Sequence, residues 1–291
     1  MAIYPIVLTQ QTFTHQDNLT YPFEERGLQF GDGIYEVIRI YNGSYYLLNE
    51  HVDRLFRSLD AVKIKLPATK EEITDLLLHL LEKNEMTSDG KVYLQVTRGS
   101  APRDHVFPAD VPANLYAYVQ DLPRHLENLQ KGVSTITEPD VRWENCYIKS
   151  LNLLPNVLAK QEAKEQGCYE AILHRDDLVT ECSSSNIYIV KNGVIYTHPA
   201  TNRILHGCVR MRVEKFATDL SISFNESGFT KDDLFDADEV FLSSSTSEVM
   251  PVIRINQKQI QDGTPGPITR KLQQEYERDA NITENNITHS L

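Results

Sequence analysis

Lys149 is the residue whose type and setting could do covalent chemistry. It lies in Arg142-Trp143-Glu144-Asn145-Cys146-Tyr147-Ile148-Lys149-Ser150-Leu151-Asn152-Leu153-Leu154, after a run of bulky, strand-like residues. A helix-like run follows from Pro155 and stops near Gly167. A lysine at such a junction can point into a cleft with its ammonium partly desolvated. Burial lowers an ammonium pKa, and the neutral amine is the form that attacks a carbonyl. On this stretch alone, a surface lysine at a strand end is the plainer reading. The other candidates are groups that hold anions. Arg103 and His105 sit one residue apart in the long loop Arg98 to Pro108, where they could converge on an anion or simply be solvated. Arg54 is either a surface charge or a helix arginine within reach of a phosphate. Gly207 opens a helix at Leu205-His206-Gly207-Cys208-Val209 and would leave orphan N–H groups for an anion. The Ser243-Ser244-Ser245-Thr246-Ser247-Glu248 run could do the same with hydroxyls. Tyr35 is either a core aromatic or part of a site.

The elements that must position these groups are legible from periodicity. Ile34 to Ile40 alternates with period two, and Asn42-Gly43 turns it into Tyr45 to Leu48 as a hairpin, because both turn residues tolerate positive φ. Asn49 is expected to cap a helix to about Ala61, with Val52, Leu55, Phe56 and Leu59 inward and His51, Arg54 and Arg57 elsewhere on its surface. Thr69 and Glu72 fit a capping box ahead of the stripe Ile73, Leu76, Leu77, Leu80 and Leu81. Lys91 to Thr97 and Leu115 to Val119 read as strands flanking the Arg103–His105 loop. Residues 121–132 read as a linker, so the chain divides into a domain over 1–120 and another over 133–280, with a frayed polar tail over 281–291. The second domain carries strands from Val133, Tyr169, Leu178, Ile187, Val194, Glu239 and Val252, a helix from the Gly207 region to Leu220, and a terminal helix from Ile268 to Ala280.

Composition narrows the function. A net charge of −12 argues against nucleic acid or an anionic membrane as partner. The four cysteines, Cys146, Cys168, Cys182 and Cys208, have no metal-ligand spacing, so no metal is expected. No apolar run approaches membrane-spanning length and no leader pattern is present, so a cytoplasmic location with free thiols is expected. Walker, nucleophile-elbow and dinucleotide fingerprints are absent; Gly31-Asp32-Gly33 precedes a strand rather than opening a helix.

Taken in order, Phe30-Gly31-Asp32-Gly33-Ile34-Tyr35-Glu36, Asn49-Glu50-His51-Val52-Asp53-Arg54-Leu55, Arg103-Asp104-His105, Ile148-Lys149-Ser150-Leu151-Asn152 and Val179-Thr180-Glu181-Cys182-Ser183-Ser184-Ser185-Asn186 resemble the fold-type IV pyridoxal-phosphate enzymes. Within them the sequence is most similar to the bacterial D-amino-acid aminotransferases. The resemblance implies an α/β (α+β) fold with a smaller N-terminal α/β domain and a larger C-terminal domain built on a mixed sheet or barrel. It implies pyridoxal 5′-phosphate as cofactor, held covalently by Lys149, which would also shuttle the substrate Cα proton. Glu181 would pair with the pyridine nitrogen, and Leu205 would support the ring. Arg54, the backbone at Cys208 and Val209, and Ser244 and Ser245 would hold the phosphate. Tyr35, Arg103 and His105 would trap the substrate α-carboxylate, the last two from the partner subunit of a homodimer. The implied reaction takes D-alanine and 2-oxoglutarate to pyruvate and D-glutamate; D-alanine and D-glutamate are peptidoglycan precursors, so the resemblance also implies a role in cell-wall supply. Two positions depart from the pattern. Val209 stands where threonine is frequent, and Cys182 replaces a glycine beside Glu181. A branched-chain L-aminotransferase, an aminodeoxychorismate lyase of the same fold, or a cofactor-binding protein without turnover are the rival readings.

Overall fold

The strand Gly33–Tyr41 shows how the first half of the chain is built. Its Ile34, Ile38 and Ile40 are fully buried on one side, while Tyr35 and Val37 on the other are half-exposed. Alternation of this kind is a sheet with one covered face. The computed structural model describes residues 3–283, 286 and 287. They fall into two units, the first ending at Pro123 and taking in Ile148–Asn152, the second holding Arg124–Tyr147 and the described residues from Leu153 onward.

In the first unit, β1 (Ile6–Thr9) and β2 (Thr12–His15) form a hairpin, and a short helix α1 (Arg26–Phe30) precedes β3 (Gly33–Tyr41). The elements β4 (Ser44–Tyr45), α2 (Leu48–Ala61), α3 (Lys70–Lys83), β5 (Gly90–Thr97) and β6 (Asn114–Asp121) complete it. The sheet runs β2-β1-β6-β5-β3-β4 and every pairing in it is antiparallel. Asn42 and Gly43 both take positive φ (48° and 71°), the geometry the hairpin requires. Helices α2 and α3 cover the inner face through Leu55, Leu59, Ile73, Leu77 and Leu80. The Thr69–Glu72 capping box forms as expected.

Three local expectations change. The cap of α2 is Leu47, in the left-handed region, so Asn49 lies inside the helix rather than at its start. His51 and Arg54 are buried rather than on the surface, because a buried carboxylate, Glu36, needs both. The segment before Lys149, expected as a strand, is irregular apart from a single bridge between Ile34 and Ser150.

The second unit contains α4 (Leu126–Lys131), β7 (Val133–Pro139), α5 (Leu154–Glu165), β8 (Glu170–Arg175), β9 (Leu178–Cys182), β10 (Asn186–Lys191) and β11 (Val194–Thr197). After these come α6 (Cys208–Asp219), β12 (Phe224–Asn225), α7 (Lys231–Phe235), β13 (Glu239–Ser244), β14 (Glu248–Ile255), β15 (Lys258–Gln259) and α8 (Pro267–Asp279). The sheet is mixed, in the order β12-β11-β10-β13-β14-β7-β8-β9 with β15 on β14. Pairs β14/β7, β7/β8 and β11/β12 are parallel. Its central strands are buried on both faces, β10 through five consecutive positions, as expected where both sides are covered.

The stretch expected as a linker carries α4, whose Leu129 is 1% exposed within the second unit's core. The Arg124 side chain is buried too, bonded to Glu248 at 2.8 Å and 2.5 Å and to Glu277 at 2.9 Å. The tail expected to fray keeps Ile282 and Ile287 buried, and the Ile287 N–H donates to Glu277 at 2.8 Å. The rest of that tail, 284, 285 and 288–291, lies outside the described residues. No helix among the described residues is long and apolar enough to cross a membrane.

Candidate active site

Within the first unit, Lys149 is held by its backbone. Its C=O accepts from the Tyr35 N–H at 3.0 Å, its N–H donates to Ser58 Oγ at 3.3 Å, and the Leu151 N–H donates to the Gly33 C=O at 3.0 Å. The chain therefore runs along the start of β3, with Ile148 buried in the helix-covered core. Lys149 is half-buried, and its Nζ stands over the Tyr35 ring at 4.3 Å from the centroid. An amine on an aromatic face, fixed by three backbone contacts, is presented rather than free to sweep the surface.

Beneath β3, Glu36 accepts from Arg54 Nε and Nη2, both at 2.8 Å, and lies 2.7 Å from His51 Nδ1. Burial alone would raise this carboxyl's pKa, but Arg54 and His51 hold it well below the ordinary range. Arg54 is thus fixed by a bidentate pair on one edge of its guanidinium.

Arg103 and His105 also come together, on a shared aromatic. The Arg103 guanidinium lies 4.8 Å from the centroid of Phe30 and the His105 ring 5.5 Å from it. Both side chains are exposed.

In the second unit, Glu181 sits near the end of β9 and is 4% exposed. It accepts from Arg142 Nη1 at 2.5 Å, from Asn186 Nδ2 at 3.0 Å, and from the Leu205 N–H at 3.1 and 3.2 Å. Burial nevertheless pushes its pKa up, because Arg142 is shared: Nε and Nη2 both bind Asp140 at 2.9 Å. Asp140 is held at about 2, burial being outweighed by Arg142 and Thr180. Leu205 is tied to the same cluster twice, since its C=O accepts from Asn186 Nδ2 at 2.9 Å.

Gly207 caps α6 in extended backbone with no side-chain cap, so the first-turn N–H groups around Cys208 and Val209 have no capping oxygen. A Cβ at Gly207 would meet Asn186 Oδ1 at 2.3 Å, which is why glycine stands there. Ser244 ends β13, and its Oγ accepts from the Ser247 N–H at 3.0 Å and lies 3.4 Å from Thr246 Oγ1. Ser245 lies within this tight hydroxyl turn. Glu248 follows with φ of 57° and is clamped by Arg124. Cys182 is the last residue of β9, opposite Ile172 of β8 where the register shifts, and Val209 offers an amide but no hydroxyl.

The family model for amino-transferase class IV matches residues 33–255. The chain belongs to the class IV aminotransferases. Among similar proteins, the D-alanine aminotransferase of Listeria monocytogenes (serotype 4b, strain F2365) is 47% identical over 273 residues, 93% of this chain and 94% of that one. The D-alanine aminotransferase of Bacillus licheniformis is 48% identical over 250 residues, 86% and 88% of the two chains. Of solved structures, the branched-chain aminotransferase of the archaeon Thermoproteus uzoniensis with norvaline superposes with a TM-score of 0.86 at 26% identity, covering 97% of each chain.

Sequence reasoning left out four residues that bond one another or the candidate groups: Glu36, His51, Arg142 and Asn186. Glu36 had a signal. It alternates with Ile34 and Ile38 on the buried side of β3, and a carboxylate there needs a cationic partner. Arg142 and Asn186 had none, because their partners arrive from 39 and 5 residues away in sequence.

Proposed function

We propose that this aminotransferase acts on D-amino acids with pyridoxal 5′-phosphate, converting D-alanine and 2-oxoglutarate to pyruvate and D-glutamate. The observation that carries the reading is the Arg103–His105 pair on Phe30, in a chain 47% identical to a D-alanine aminotransferase over nearly its whole length. The family is pyridoxal-phosphate-dependent, and the residues fit the group. Lys149 offers a half-buried, oriented amine. Glu181 is a buried carboxylate whose raised pKa marks unmet negative charge, which a protonated ring nitrogen would offset.

When bound, the cofactor supplies the electron sink for the carbanion at the substrate Cα. Lys149 holds it and moves the proton at Cα. Glu181 keeps a proton on the ring nitrogen, and Arg142, Asn186 and the Leu205 N–H keep Glu181 aimed. Arg54, the amides of Cys208 and Val209, and the hydroxyls of Ser244 and Ser245 hold the phosphate. Tyr35, Arg103 and His105 hold the substrate carboxylate and so set which enantiomer presents its Cα hydrogen to the lysine.

The assembly proposed is a homodimer in which Arg103 and His105 serve the partner's site. Helix α5 supports it by leaving Leu154, Val157 and Leu158, spaced three and four residues apart, 58% to 68% exposed. A cytoplasmic role in supplying peptidoglycan D-amino acids belongs to the same proposal. The test is pyruvate release from D- and L-alanine with 2-oxoglutarate. Release from D-alanine is expected; release confined to L-alanine or to branched-chain L-amino acids would replace this reading with the branched-chain one.

A further inference from the structure

The Gly31-Asp32-Gly33 corner does more than turn α1 into β3. Asp32 accepts from Arg26 Nε at 2.8 Å and from Arg98 Nε and Nη2, both at 2.9 Å, so one carboxylate holds two nearly buried guanidiniums. Both arginines reach onward. Arg26 Nη1 donates at 2.7 Å to the C=O of Asp104, the residue between Arg103 and His105. Arg98 donates to the C=O groups of Val62 and Lys63 at 2.8 and 3.0 Å, and its guanidinium lies 3.5 Å from the centroid of Phe107. Arg26 also lies on the Phe30 ring, at 4.7 Å, the ring that carries Arg103 and His105.

We infer that Asp32 is a positioning residue for the carboxylate trap: it orders the exposed Arg103–His105 loop through Arg26, Arg98 and Phe30. The inference rests on the carboxylate-trap reading proposed above. The physical argument is one of preorganisation. Residues 102–107 are exposed, and an exposed loop with long cationic side chains loses conformational entropy when it closes on a substrate. Pinning the central carbonyl and laying both side chains on one ring removes much of that loss before substrate arrives. Charge-assisted bonds are the strong ones, and Asp32 collects three of them. Burial would raise its pKa, yet Arg98 and Arg26 lower it, so it stays ionised as the hub. The same corner also holds the lysine segment. Leu151 donates to Gly33 at 3.0 Å and Asn152 Nδ2 to the Gly31 C=O at 3.2 Å, so the amine and the trap loop share one anchor.

The experiment compares Asp32→Asn with Arg103→Ala in the loaded enzyme and follows backbone amide exchange over residues 103–107 in the absence of substrate. Arg103→Ala removes a charge-assisted bond, so KM for D-alanine should rise roughly ten- to a hundred-fold. Asp32→Asn should raise KM about ten-fold while kcat changes less than about two-fold, and should speed exchange across the loop. A rise in KM for Arg103→Ala with neither KM nor exchange altered in Asp32→Asn overturns the inference and leaves the trap reading standing. An unchanged KM in Arg103→Ala overturns both. A fall in kcat without a rise in KM for Asp32→Asn also overturns the inference, since it points to damage at the lysine segment. If Asp32→Asn does not fold, Phe30→Leu keeps both ion pairs, removes the shared ring, and is read by the same split between KM and kcat.

Discussion

Two buried glutamates, one in each unit, bind an arginine and shift in opposite directions. Glu36, 1% exposed, takes two N–H bonds from Arg54 and a third contact from His51, and its pKa falls well below the carboxylate range. Glu181, 4% exposed, takes one N–H from an arginine that Asp140 also claims, and its pKa rises. Equal burial therefore does not give equal charge compensation. Glu36 takes two N–H bonds from Arg54 and serves to hold it still. Glu181 is left short of positive charge, the condition under which a protonated ring nitrogen gains most by sitting beside it.

The largest expected effect concerns the group that neither glutamate can replace. Lys149→Ala should abolish pyruvate release from D-alanine, and borohydride reduction of the loaded wild type should mark the peptide containing Lys149. A mark on Lys160, which instead binds the Tyr169 C=O at 2.6 Å and Glu170 at 3.2 Å, would move the catalytic centre away from the first unit. Next, Glu36→Gln leaves Arg54 buried without its counter-charge, a loss of about 3 to 5 kcal/mol. Thermal unfolding should show a fall of several degrees or more. Glu181→Gln keeps the shape but cannot hold the ring-nitrogen proton. If part of a similar loss falls on the barrier, kcat drops at least about thirty-fold with the protein still folded. Single-turnover kinetics would check it.

Acid separates the two carboxylates. The stability Glu36 contributes is complete above its unfolded pKa of about 4.3 and is lost as pH falls through its depressed folded value. The gap in melting temperature between wild type and Glu36→Gln should therefore narrow below about pH 4. Glu181 has the reverse sign: its cost is present above its raised folded pKa and is relieved as pH falls toward the unfolded value. The smallest effect follows. Glu181→Gln should change stability by less than about 1 kcal/mol at neutral pH, and its standing relative to wild type should be best at high pH. A melting loss as large as that of Glu36→Gln would remove the contrast.

Much of the positioning scaffold was legible in the sequence because it depends on local chemistry. Asn42-Gly43 encodes a turn by its tolerance of positive φ, Thr69 and Glu72 satisfy each other three residues apart, and Pro155 lies in the first turn of α5. Apart from the cap of α2, which is local, most of the failures involve partners from other elements. His51 and Arg54 read as surface residues until Glu36 arrives from β3. The bulky stretch before Lys149 reads as a strand, yet Arg142 bonds Asp140 and Glu181 in place of a ladder. The supposed linker holds a helix because Leu129 has a core to enter and Arg124 has Glu248 and Glu277 to bind. Arg103 and His105 were visible as a candidate anion-binding pair, but the Asp32 hub beneath them was not, since its three residues are separated by 6 and 66 positions.

The contrast between the two glutamates is tested most directly by isotope-edited infrared titration of their carboxyl groups, before and after adding pyridoxal 5′-phosphate. In the cofactor-free protein Glu36 should stay ionised below the ordinary carboxylate range and Glu181 should titrate above it. Adding the cofactor should leave Glu36 unmoved and bring Glu181 down, as the ring nitrogen supplies the missing positive charge. A Glu181 that titrates at or below the ordinary value without cofactor, and does not respond to it, would contradict the account.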